Sequence, residues 1–96
     1  MNSYSVNPKS VLEGLSKNNL KHSAKHLTEF VDLDATLTAD KVRQIGASLV
    51  KPENLVSRLN SSQKVFQGNV NIGGKQVTVR TVLNRLDRLH SVHIRR

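Results

Sequence analysis

Val70-Asn71-Ile72-Gly73-Gly74-Lys75-Gln76-Val77 is the stretch on which the fold of this chain turns. Apolar and polar residues alternate on both sides of a Gly-Gly pair, the period-two signature of a strand with one buried face. Two adjacent glycines accept the positive φ angles of a two-residue turn, so the alternating run folds back on itself. The hairpin expected over residues 64–80 pairs Val70 with Val77 and Ile72 with Lys75 on one face, and Asn71 with Gln76 on the other.

Moving outward from the hairpin, Thr81 stands where it can cap a final helix, with Val82, Leu86 and Leu89 in line and Leu83 beside them. Upstream, Pro52 suits the first turn of a short helix over 52–59 that buries Leu55, Val56 and Leu59 and ends at Asn60-Ser61-Ser62. Before it, Thr38 and Asp40 mark the start of a helix that carries Val42, Ile45 and Leu49 on one side. Residues 31–37, Val-Asp-Leu-Asp-Ala-Thr-Leu, alternate like a short half-buried strand. Ser10 and Glu13 form a capping-box pattern. Behind them Leu12, Leu15, Leu20, Ala24, Leu27 and Val31 are spaced for one amphipathic helix weakened at Asn18-Asn19, or for two short ones. The expectation is a small, mostly helical α+β domain with a β-hairpin: a flexible arm over 1–9, one compact domain over 10–91 and a basic tail over 92–96.

Composition bounds the rest. Ninety-six residues make one domain with a modest core of Leu, Val and Ile, since Tyr4, Phe30 and Phe66 are the only aromatics. With no Cys there is neither a disulfide nor a thiolate site. No apolar run approaches a membrane span, and a Sec-type signal peptide is not expected, so the chain is read as a soluble cytoplasmic protein. The net charge of +8 is uneven: residues 1–60 carry eight bases and six acids, whereas 61–96 carry seven bases and only Asp87. Cations gathered on ordered structure point to a polyanionic partner.

The predicted order of helix, strand, helix, helix, hairpin, helix resembles the winged helix-turn-helix family of DNA-binding domains. Residues 45–60, Ile-Gly-Ala-Ser-Leu-Val-Lys-Pro-Glu-Asn-Leu-Val-Ser-Arg-Leu-Asn, look like its helix-turn-helix core, although Val50-Lys51 replace the usual turn glycine. The resemblance implies a small DNA-binding transcription regulator, with the hairpin as the wing. Read physically, Asn54, Ser57, Arg58 and Ser61 would project from the 52–59 helix toward base edges, where Asn suits adenine and Arg suits guanine. Lys41, Arg43, Lys51, Lys75 and Arg80 would lie against phosphates. Val82, Leu86 and Leu89 would form the seam of a homodimer, and the recognised site would then be palindromic.

A second class of function is a protein-interaction module. The Ser/Asn-rich, acid-free start of the chain looks like the N-terminal signal of a type III secreted effector, exported without a Sec peptide. The hairpin would then offer an edge to a secretion chaperone or another protein partner. RNA ranks third, because stacking aromatics are scarce. His22, His26 and Glu29 share a helix face with metal-ligand spacing, but Lys21 and Lys25 adjoin them and no His-Glu-x-x-His motif is present, so no metal is assigned. His90 and His93 read as further polyanion contacts. No nucleophile elbow or phosphate loop occurs, and the Asp32–Asp34 pair reads as a solvated strand face, so catalysis and cofactors are not expected.

Overall fold

A computed structural model describes residues 8–13, 15–59 and 63–95. Among these described residues four helices come first: α1 (Pro8–Val11), α2 (Lys17–Ser23), α3 (Leu27–Val31) and α4 (Ala39–Ser48). A single 3-10 turn, Pro52–Asn54, leads into four strands, β1 (Leu55–Leu59), β2 (Gln63–Ile72), β3 (Lys75–Leu83) and β4 (Leu89–Ile94). The strands form one antiparallel meander in the order β1-β2-β3-β4. The domain is therefore α+β, but its larger layer is the sheet rather than a mostly helical body.

The central hairpin has the register read from its alternation: Val70 pairs with Val77, Asn71 with Gln76 and Ile72 with Lys75. Gly73 and Gly74 both have positive φ, 60° and 82°, as a two-residue turn requires. Gly73 is doubly constrained, because a Cβ there would lie 2.0 Å from the Leu33 carbonyl oxygen. On one face of the sheet, Phe66, Ile72, Val79, Leu83, Leu89 and Val92 join Val11, Phe30, Val42 and Ala47 from the helices in the buried core. The opposite face is polar along the hairpin, with the buried Val65–Val82 pair at its other end. In the polar part Thr78 donates to Asn69 (2.9 Å), and Arg80 donates twice to Gln67 Oε1 (2.8 and 3.2 Å). An antiparallel sheet tolerates one such solvated face.

Helix α4 packs on β3 and β4, and α2 and α3 pack on β4. Thr38 caps α4 by accepting from the Lys41 amide at 3.3 Å, with Asp40 in the first turn. Gly46 lets α4 approach the sheet closely: a Cβ would meet a Val92 methyl at 2.5 Å, and its carbonyl accepts from the buried Thr81 hydroxyl at 2.9 Å. Ser16 caps α2 through the Asn19 amide, 3.1 Å away.

Several expectations are corrected. Residues 10–31 form three short helices, and Ser10 lies inside α1 instead of capping it. Residues 31–37 are not a strand. Asp34 Oδ1 accepts from both the amide and the hydroxyl of Thr36, a local turn that outcompetes extended pairing. Those two bonds hold the Asp34 carboxyl below its ordinary pKa. The 52–59 helix is not formed, because after one 3-10 turn the Leu-Val-Ser-Arg-Leu run pairs with β2, setting Leu55 opposite the buried Phe66. The last helix is not formed either. The β-branched run through Thr81 and Val82 extends β3, and residues 84–88 turn the chain into β4. Asn84 accepts from the amides of Leu86 and Arg88, and Asp87 takes a positive φ of 61°, which Asn and Asp tolerate best. Because β4 runs to Ile94 with Val92 fully buried, residues 92–94 belong to the sheet rather than to a tail.

Candidate polyanion-binding surface

The cations and polar groups expected on one DNA-facing surface are dispersed. Lys41 and Lys51 are exposed near opposite ends of α4. Lys75 sits at the hairpin tip, paired with Ile72 on the helix-bearing side of the sheet, whereas Arg80 lies on the polar side. Arg43 is turned inward, its side chain only 12% exposed. Its Nε donates to Ser23 Oγ (2.7 Å), its Nη2 to the Leu20 carbonyl (3.0 Å) and its Nη1 to Asp40 (2.7 Å). Asn54 is half-buried and donates to the Leu49 carbonyl at 3.0 Å, closing the C-terminus of α4 instead of facing a groove. Ser57 and Arg58 occupy β1, opposite Val65 and Lys64, so no helical stripe carries them. Ser61 lies outside the described residues.

The proposed dimer seam is likewise dissolved. Leu89 is fully buried in its own core and Val82 is 7% exposed, while Leu86 is 70% exposed in the 84–88 turn. Three residues expected on one helix face thus occupy a strand, a turn and another strand.

A different cationic site does form along α2. Lys17 and Lys21 lie on α2 one helical turn apart, about 6 Å along the axis, and Lys25 follows in the turn after the helix; all three are exposed. No acid occurs between Glu13 and Glu29, and among the described residues no carboxylate pairs with these lysines. Asn18, Lys21, His22 and Lys25 line an open cleft of about 380 Å³.

All four histidines of the chain meet beside this ridge. His22 on α2 stacks on His90 of β4 with ring centroids 5.2 Å apart and planes 26° apart. His26, at the start of α3, lies 5.3 Å from His93 of β4. Glu29 binds both sides of the joint: Oε2 contacts His26 Nδ1 at 2.9 Å, and Oε1 accepts from the Ile94 amide at 3.1 Å. Burial lowers the pKa of His90, and the neighbouring His22 lowers it further. Burial also lowers that of His93, with His26 and Arg80 adding to the effect and Glu29 opposing it. Because His22 turns to His90 while His26 turns to His93, the helix-face triad does not converge. Among the described residues no three His, Cys, Asp or Glu side chains are placed to hold a metal ion.

The sequence contained half of this signal. The spacing of His22 and His26 marks one helix face, but their partners lie on 89–94, where the sequence predicts helix and tail and the structure forms β4. No family model, curated protein or solved structure matches the chain, and nothing in the arrangement is specific to winged helix-turn-helix domains. No helix among the described residues is long and apolar enough to cross a membrane.

Proposed function

We propose that this protein binds duplex nucleic acid by gripping phosphates along α2, in a mode that reads the backbone rather than base edges. The observation that carries this is the row of Lys17 and Lys21 on α2 and Lys25 in the turn after it, all exposed and without a partnering carboxylate among the described residues. Lysines in such a row approach successive phosphates as point charges and release counterions from the duplex. A winged helix-turn-helix mode of DNA recognition would need a different source of base contacts, because residues 52–59 supply no recognition helix. Regulation of transcription would then rest on occupancy of DNA and not on a helix in the major groove.

The test is binding to random-sequence duplex across a salt series, with heparin as a polyanion control. Neutralising three phosphates contributes about 2.7 to the log–log salt slope, so a triple Lys17→Gln, Lys21→Gln, Lys25→Gln variant should bind with a slope shallower by about that amount. An unchanged slope in a folded variant rejects the ridge as the contact.

One observation favours a protein partner as the second reading. β2 and β3 are interior strands, and of the two edge strands β4 has α2, α3 and α4 packed against it, while on β1 Val56 is 52% exposed. Strand addition there would suit a chaperone or other extended ligand. The irregular register between Leu55 and Ser57 blunts the same edge, which places this reading behind the first. The secretion signal suggested for residues 1–9 falls mainly on residues outside those described.

A further inference from the structure

We propose that phosphate docking on α2 is coupled to proton uptake by the stacked His22–His90 pair, so that the protein grips duplex nucleic acid more tightly as the medium becomes mildly acidic. This deepens the duplex-binding reading and rests on it. The geometric basis is a shared wall. His22 lines the cleft beside Lys21 and Lys25, and its other neighbour is the His90 ring, 5.2 Å away on β4. An anion held in the cleft is therefore one imidazole away from a second, half-buried imidazole.

In the free protein a proton on His90 is disfavoured. Burial and the mutual proximity of two basic rings both oppose a positive charge on His90. The charged groups on the surrounding elements are mostly of the same sign: Lys17 and Lys21 on α2, Lys25 in the turn after it, Arg43 on α4, Arg80 on β3, and Arg95 just after β4. His26 and His93 form the adjacent pair. Asp40 is engaged by Arg43, and Glu29 is engaged by His26 and the Ile94 amide. A docked phosphate reverses the local field. An opposite charge within about 4–6 Å raises an imidazole pKa, and each unit of rise corresponds to a tenfold gain in affinity once the proton is bound. Once one ring carries a proton a second is opposed, because two imidazoliums at that spacing repel. Coupling is reciprocal, so duplex must raise the histidine pKa by the same factor that protons tighten the duplex.

The experiment uses the full chain and a short random-sequence duplex at fixed ionic strength. Affinity is measured by fluorescence anisotropy between about pH 7.5 and about pH 5.5, where an unperturbed imidazole changes charge. In parallel, the imidazole proton resonances of all four histidines are titrated with and without duplex. Expected are a rise in affinity of about tenfold toward acid and an upward displacement of the His22–His90 titration when duplex is present. A His90→Gln variant should flatten the pH dependence while the remaining imidazole resonances report that the fold persists. If duplex binds but the His22 and His90 titrations do not move, proton coupling is overturned and backbone binding stands. If no duplex binds at any pH, both are overturned.

Discussion

Arg43 directs its guanidinium to three acceptors on two elements, Ser23 and Leu20 of α2 and Asp40 of its own helix. From sequence it is an exposed helix cation, since nothing local distinguishes an arginine that meets phosphate from one that meets a neighbouring helix. The distinguishing partners are about 20 residues away and become visible only after packing, as the separations of 20 and 23 residues in its two long-range bonds make plain. Charge-assisted hydrogen bonds contribute about 1.5–3 kcal/mol each, and their loss leaves Ser23, which is 1% exposed, short of a donor. An Arg43→Gln variant should accordingly lose about 2 kcal/mol in chemical denaturation, within the range for a disrupted buried network, and Arg43→Lys should recover little because one ammonium cannot span the fork. The duplex salt slope should be unchanged in both. A steeply shallower slope with unchanged stability would instead make Arg43 a phosphate contact. Asn54 teaches the same lesson, an amide reserved for a groove that closes a helix end instead.

Among the elements, legibility followed how local the deciding signal was. The hairpin was readable in register because its turn chemistry and its alternation sit within a dozen residues and agree with each other. Helix α4 was readable from its Thr38 cap. The last third of the chain was not, because the positions of Val82, Leu86 and Leu89 satisfy a helical period and a strand-turn-strand equally well. Asn84 and Asp87 carried the tie-breaking turn chemistry. The same ambiguity affected 52–59, where pairing with β2 decided the outcome. Two substitutions separate the alternatives. Leu89→Ala should cost about 2–5 kcal/mol, as for a fully buried leucine, while Leu86→Ala should lie within about 0.5 kcal/mol of the parent. Comparable losses at both positions, or a change of oligomeric state on altering Leu86, would restore the helical seam. Urea denaturation and sedimentation measure the two outcomes.

For the molecule as a whole, composition correctly indicated an excess of positive charge but not where it is concentrated. The C-terminal surplus is divided among both sheet faces and a turn, with Lys64 paired to Asp87 and Arg88 donating to the Ser10 carbonyl at 3.1 Å. The ridge that stands clear is on α2, in the half of the chain that looked nearly balanced. Four histidines at one joint also make global stability depend on acidity. The folded-state pKa values of His90 and His93 are lowered from 6.5, so the unfolded chain takes up these protons first. Their contribution is complete above that value and is lost as pH falls below it, levelling off beneath the lowered folded values. The thermal midpoint should therefore drop between about pH 7.5 and about pH 5.5, and His93→Gln should make the decline shallower. A midpoint that is flat across this window would show that the joint does not resist charging.

Glu29 has a consequence beyond that joint. By accepting from the Ile94 amide it occupies a donor at the end of the β4 edge, while the β1 edge is interrupted by an irregular register. A second copy pairing along the end of β4 would first have to displace this carboxylate. A Glu29→Ala change frees that amide, and faster fibril formation at high protein concentration is the behaviour to look for.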